Sequence, residues 1–492
     1  MNLINKILIA MLLGCGAVLS SCEGNLADLN IDPNKSTVMT YDAQLLRIEL
    51  YITRQNYTVS CGAAIQHLAS LATNWEGSGD KYLHPEITHQ ASYNSNYLNS
   101  VKNVEDLIAR SSEDPDDGNF YNIARILRVF IFHRITDLHG DVPYSEAGQA
   151  FLNQNSTPVF DTQQSIYLDM LNELSAAASA LDASKATYGA SDVLYSGDLD
   201  QWRKMAYSLM LRLAMRMQKV EPELAEKWAK TAVNGGVFTS NADNMIVIHA
   251  IGNDDNHNRF NVNLEVNPNG HRISNTLIDL LTNTGDPRLN IYTEPFDGSS
   301  WPQKGLPNGL DASTIGDSPG GDDYDSYAWY NRTLVEPLDA PSIQLTYSEI
   351  ALLQAEAVVR GWITGDATAL YEAGVAAGMQ QWEVFAGIVV PDQAEIATYL
   401  EANPFDGSYK MIGEQIWLTT FINFFETFSH WRRTGYPVLI PVNYPGNLTN
   451  GTIPRRLWYS FDELNLNTEN YNAAVARQGP DNYTTRIWWD VN

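Results

Sequence analysis

The sequence predicts a mainly α fold, with helix pairs packed against a loop-rich region and a few short strands. Three observations carry that expectation. Apolar residues recur at three- and four-residue spacing through most of the first half. Strand signals are few and short, at 245–249, 437–442 and 485–490. Two aromatic stretches built around glycine, 74–97 and 295–331, interrupt the helical pattern.

The N-terminus has the anatomy of a secretory signal peptide. One positive charge, Lys6, precedes an apolar run over 7–19, and small residues lead to Cys22. The run is short for a bilayer span, and no other stretch is long and apolar enough to serve as one. Residues 1–21 are therefore expected to be a signal peptide, 22–40 a tether, and 41–492 one helical body. Among the three cysteines, Cys15 leaves with the signal and Cys61 reads as a small buried hydrophobe.

Helices are expected at 41–71, 97–110, 120–137, 161–181, 198–218 and 222–233. Phe120, Ile123, Leu127, Phe130 and Ile131 place one apolar stripe on a helix that stops before Gly140. Thr346 and Glu349 have the spacing of a capping box ahead of Ile350, Leu353 and Ala357, with Gly361 as the stop. The segment 295–331 holds six Gly and four Pro in 37 residues, together with Phe296, Trp301, Tyr324, Tyr327, Trp329 and Tyr330. A long irregular loop with that much ring area points to function rather than to a solvated connection.

Composition narrows the partners. The chain carries 31 Lys and Arg against 58 Asp and Glu, a formal net charge of −27, with the acids dispersed. Phosphate backbones and anionic headgroups are disfavoured, because affinity for either comes from clustered basic residues. Tyr and Trp number 25 and 12 against 15 Phe, so most rings carry a polar handle suited to a wet surface.

Leu19-Ser20-Ser21-Cys22 resembles the lipobox of bacterial lipoproteins, in which the cysteine is acylated. Cys22 is the expected lipidation site on that resemblance. The run Ile135-Thr136-Asp137-Leu138-His139-Gly140-Asp141-Val142-Pro143-Tyr144-Ser145-Glu146-Ala147 then resembles a signature of the SusD/RagB-like nutrient-binding outer-membrane lipoproteins. Blocks in the same order follow at Phe160-Asp161, Gly197-Asp198, Trp202, residues 209–216, Asp286-Pro287-Arg288-Leu289, residues 346–357, residues 430–437 and Trp488-Trp489-Asp490. Tyr207 and His139 depart from the residues frequent at their positions. The resemblance implies tetratricopeptide-like helix pairs, a lipid anchor on the cell surface, and a SusC-like barrel transporter, TonB-dependent, over which the lipoprotein acts as lid and capture subunit.

For the ligand, the aromatic loops are the candidates. A sugar offers an apolar C–H face for stacking and hydroxyl edges for hydrogen bonds, and Trp75, Tyr82, Trp301, Trp329 and Tyr330 are the expected platform. The same rings suit a peptide, and a surface glycoside hydrolase is the enzymatic alternative, although the sequence singles out no carboxylate pair for it. Arg212 and Arg216, one turn apart, read as partners of acidic neighbours, and Arg432-Arg433 as an anchor between the last helix and the strand from Pro437. Asp137, His139 and Asp141 read as a tight turn rather than metal ligands. No cofactor is expected. Asp317, Asp322, Asp323 and Asp325 offer oxygen ligands to calcium, but without the EF-hand spacing.

Overall fold

The computed structural model describes residues 39–54, 58–83, 86–252, 254–258, 270–294, 304–317 and 323–491. Cys22, Trp301 and most of the tether lie outside these residues. The chain runs through α1 (Tyr41–Tyr51), α2 (Val59–Ala64), β1 (Leu68–Ala69), α3 (Glu86–Ser95), α4 (Lys102–Ser111), α5 (Gly118–His139), β2 (Val142–Pro143), α6 (Ala150–Asn153) and β3 (Phe160–Asp161). Then follow α7 (Gln163–Ala180), α8 (Leu199–Arg216), α9 (Pro222–Gly235), β4 (Met245–Val247), β5 (Arg272–Ile273), α10 (Asn275–Thr284), α11 (Leu289–Tyr292), β6 (Thr293–Glu294) and β7 (Trp329–Tyr330). The last third holds α12 (Arg332–Val335), β8 (Ser342–Leu345), α13 (Tyr347–Val359), α14 (Ala367–Gln380), α15 (Gln393–Ala402), α16 (Tyr409–Thr419), α17 (Phe424–Thr434), α18 (Phe461–Leu466) and α19 (Thr468–Gln478).

The architecture is mainly α, and the helices pack as successive pairs: α4 on α5, α5 on α7, α7 on α8, α8 on α9, and later α13 on α14 and α16. Among the described residues, strands form four two-stranded antiparallel pairs, β1–β5, β2–β3, β4–β8 and β6–β7. Two large apolar cores result. One gathers α4, α5, α7, α8, α9, α13 and α14, and the other gathers α2, β5, α10, β7 and α17. α5 borders both, with Ile123 to Ile135 in the first and Leu138 in the second.

The helix starts follow local chemistry. Asp198 accepts from the backbone N–H groups of Asp200 and Gln201 at the head of α8, and Thr162 accepts from Ser165 N at the head of α7. Thr346 accepts from Glu349 N at the start of α13, as its spacing predicts. The reciprocal half of that box is absent from α13, because the Glu349 carboxylate turns inward to Arg212 at 2.6 Å. α5 also exceeds its predicted single stripe, since every residue from Ile126 to His139 is buried. A helix enclosed on all sides must satisfy its polar side chains internally. Arg128 does so with Glu105 and Glu173, and Arg134 donates to Ile52 O and Gln344 Oε1.

Below the first core runs a buried ionic chain. Arg212 pairs with Glu349, Arg216 with Glu426 at 2.5 Å and Asp137 at 3.3 Å, and Asp137 also accepts from Trp489 Nε1 and Tyr167 Oη. Arg433 pairs with Glu356 at 2.7 Å, while Arg432 donates to Asp137 O and Arg455 O. Arg212 and Arg216 tie α8 to neighbouring helices, in agreement with their reading from sequence, whereas Arg432 and Arg433 reach Asp137, Arg455 and Glu356 rather than the segment after Pro437.

Three expectations change. The helix predicted over 41–71 breaks after Tyr51, where Thr53 Oγ1 bonds Leu50 O, and α2 ends where Gln66 adopts φ 62° and turns the chain into β1. The segment 86–96, expected to belong to the irregular stretch 74–97, is helical, with Tyr93 buried inside the first core. Neither 437–442 nor 485–490 forms a strand. In the first of these the backbone is satisfied by side chains, Gln66 Nε2 donating to Ile440 O and Tyr82 Oη accepting from Val442 N.

Candidate ligand-binding face

The two glycine-rich stretches meet on one frame, joined by a third segment that the sequence reading did not nominate. β1 pairs with β5, so Leu68 lies opposite Ile273. Leu306 N donates to Ile273 O, and Ile273 N donates to Ala328 O, which lays 304–306 and 327–330 beside that pair. Asn308 Nδ2 donates to Leu68 O at 2.7 Å while its Oδ1 accepts from Ser274 Oγ. On the other side, Leu448 N donates to Tyr82 O, and the Tyr444 hydroxyl donates to Asp311 Oδ2.

Asp80 is the joint of this frame. Its Oδ2 accepts from Gly309 N at 3.0 Å and from Ser70 N, and its Oδ1 accepts from Lys81 Nζ at 2.7 Å. Lys81 Nζ also donates to Ser70 O at 2.5 Å. Both charges are fully buried. Burial pushes the Asp80 carboxyl above its ordinary range, and the Lys81 ammonium beside it opposes that shift. Close approach also restricts residue type here. Gly309 has φ +85° and a Cβ there would overlap Val442 Cγ1, whereas a Cβ on Gly305 would overlap the Asn275 backbone.

Within the frame Arg272 is sandwiched between rings, its guanidinium carbon 3.9 Å from the Tyr324 centroid and 4.8 Å from that of Trp329. Burial lowers its pKa, which the Tyr324 ring and Asp325 counter. The Arg332 guanidinium carbon also lies over Trp329, 5.2 Å from its centroid. Asp311 is held well below the usual carboxylate range, first by the Ser313 hydroxyl and then by Tyr444.

The structure sorts the predicted platform. Trp75 opens a 3-10 turn, Trp75–Lys81, and its side chain lies outside the described set, as does all of Trp301. Tyr82 is buried in the second core, adopts φ 55° and uses its hydroxyl on Val442 N. Trp329 is 6% exposed and Tyr330 4%, both within the second core. These three rings are buried and pack the frame. Over Trp329 the Arg272 and Arg332 guanidinium groups are themselves the stacking partners. Of the candidate calcium ligands, Asp323 caps a turn through Asp325 N, and Asp325 pairs with Arg272 at 3.3 Å. Asp322 and the Asp317 side chain are outside the described set.

Residues at the rim of the frame complete the face. Tyr324 and Tyr444 are half-buried, and Lys304 and Asn443 are exposed. The Lys304 ammonium stands 5.0 Å from the Tyr327 ring. Hydroxyl, amide and ammonium groups are thus set around a rigid base, which suits recognition of a ligand rich in hydroxyl or amide groups. The signal that could have found the third segment is Asn443-Tyr444-Pro445-Gly446-Asn447, a turn-forming run that carries a tyrosine.

Comparison with known proteins gives one consistent result. A family model described as starch-binding and associating with the outer membrane matches residues 33–460. A solved structure named a chitin-binding protein is 34% identical, with a TM-score of 0.83 over 92% of this chain and 100% of its own. A Bacteroidetes SusD-like structure is 25% identical, with a TM-score of 0.80 over 92% and 100%. A chitin-binding SusD homologue from Flavobacterium johnsoniae is 25% identical, with a TM-score of 0.77 over 92% and 98%. Comparison with curated protein sequences gives no match. With the helix pairs, the loop frame and a family match spanning most of its length, this chain belongs to the SusD-like family.

Proposed function

We propose that this chain is a cell-surface lipoprotein of the outer membrane, anchored through Cys22, that captures a glycan oligosaccharide and delivers it to a TonB-dependent SusC-like transporter. The observation that carries the reading is the frame in which 68–83, 304–317, 323–330 and 437–448 converge, joined in part by Asp80, Asn308 and Tyr82. A preformed base with polar groups at its rim captures ligand without a large ordering cost. The family description and the chitin-binding relatives favour a neutral glycan, and N-acetylglucosamine oligomers are the first ligands to test. Trp75 and Trp301, whose side chains fall outside the described set, remain the proposed stacking rings. Binding without catalysis is the assigned role.

Titration calorimetry with chitin oligomers, starch oligomers and short peptides tests the reading. Saturable binding of a glycan is expected, with no new reducing ends after prolonged incubation. Binding of peptides alone would transfer the site to peptide capture, and release of reducing ends would make the protein a hydrolase.

A further inference from the structure

α1 is fastened to the body at both ends by polar contacts. Near its start, Tyr41 Oη donates to Arg110 O and Gln44 Nε2 donates to Asp106 Oδ2 at 2.7 Å, which ties α1 to α4. Near its end, Glu49 Oε2 accepts from Val193 N at 2.9 Å, which ties α1 to the turn ahead of α8. Glu49 is fully buried, and its other oxygen, Oε1, has no hydrogen-bond partner. A carboxylate oxygen left in that state away from water is costly.

The neighbours make an anion at Glu49 costlier still. Asp192, also buried, faces it. Asp192 Oδ1 accepts from Leu194 N and Tyr195 N, and its Oδ2 accepts from Gly197 N and from Trp202 Nε1 at 2.7 Å. Four N–H donors thus converge on Asp192, and one reaches Glu49. The buried Tyr188 and Tyr195 also face Glu49, with Asp42 beyond the first and Asp243 beyond the second. Among the described residues no cation balances this group at Glu49. A proton on Glu49 resolves the conflict, because it turns an unmatched acceptor into a donor with the Asp192 carboxylate beside it. Burial pushes the Glu49 carboxyl well above its ordinary range, and the Asp192 charge acts in the same direction.

We propose that Glu49 is a carboxylic acid in the folded chain and shares its proton with Asp192, forming a pH-sensitive lock that fastens α1 to the turn ahead of α8. α1 is the first helix after the tether, so the lock sets how firmly the tethered end of the body is held. Opening of α1 exposes Glu49 to water, where it ionises above its ordinary value of 4.5. Opening therefore releases a proton, and the closed state loses stability as pH rises from that value towards the raised folded one. The lock lies outside the loop frame and does not depend on glycan capture.

Hydrogen exchange of the α1 amides in the full chain, corrected for intrinsic exchange rates, tests the lock. Between about pH 5.5 and about pH 6.5 their protection in wild type should fall about tenfold, the linkage of one proton over one pH unit. Glu49→Gln keeps the shape of the neutral acid and supplies a fixed N–H donor to Asp192, so its α1 protection should be flat over the same range. The infrared difference spectrum at about pH 6, wild type minus Glu49→Gln, should contain the C=O stretch of a protonated carboxyl, since a free glutamate is ionised there. The wild-type slope is informative even if the variant folds poorly. A flat wild-type profile, an equal slope in Glu49→Gln, or a difference spectrum without the protonated-carboxyl band would overturn the proposal.

Discussion

Acidification should weaken this fold through His67, and the size of the effect follows from where that ring sits. His67 is fully buried, 4.0 Å centroid to centroid from Trp417 and near Phe421 and Phe424. Burial pushes its pKa down from 6.5 to about 3. The folded state therefore keeps the ring neutral, whereas the unfolded chain takes up a proton as pH falls below its ordinary value. Stability that is fully present above about pH 6.5 is lost below it, and the loss levels off only near the folded pKa. At about pH 5 the contribution of this one ring is roughly 2 kcal/mol. The ring also lies at the base of the loop frame, because His67 O accepts from Ser274 N. Urea unfolding of wild type and His67→Phe at about pH 7.5 and about pH 5 isolates the term: the stability difference between the two proteins should shift by about 2 kcal/mol in favour of the variant on acidification. Parallel pH dependences for the two proteins would refute the reasoning, since a ring that titrates normally in the fold carries no such linkage.

Four further outcomes follow from the same structure. Asp80→Asn leaves the buried Lys81 ammonium without its counter-charge, and should cost about 3–5 kcal/mol in urea melts; adding Lys81→Met should recover part of that loss. Gly309→Ala forces a side chain into φ +85° against Val442 and should lower stability by roughly 1–3 kcal/mol, read by calorimetry, together with glycan affinity. Trp329→Ala should cost about 3–5 kcal/mol in stability, whereas Trp301→Ala should weaken glycan binding roughly tenfold, measured by titration. Glu426→Gln removes one member of the buried chain with Arg212 and Arg216, and should destabilise by about 3 kcal/mol or more in the same melts.

Helix placement was largely legible in the sequence, because a 3.6-residue apolar period and its caps are local properties. α5, α7, α8 and α9 lie where periodicity puts them, and Thr346 caps α13 as its spacing indicates. The arginines of α8 were legible as ion-pairing residues for the same reason, two charges one turn apart beside the apolar face of Met205, Leu209 and Leu213. Failures occurred where distant residues supply the partners. The segment 437–442 has strand-like composition, yet Gln66 and Tyr82 take its backbone groups. Tyr93 looked like a loop ring and is a core residue, and Asp80 gave no sign in sequence that it joins two loops.

What the sequence by itself determined is a helical, acidic chain with a signal-like leader and a clustering of aromatic residues in two loops, since each is a matter of spacing or composition. Tertiary structure alone decided which rings are covered. Trp329 and Tyr330 share the loop's aromatic signature with Trp301, but both Arg272 and Arg332 lie over the Trp329 ring. That is a contact between residues as far apart as 57 positions, and stacking on a ring depends on which neighbours have already taken its faces, a quantity that no local pattern encodes.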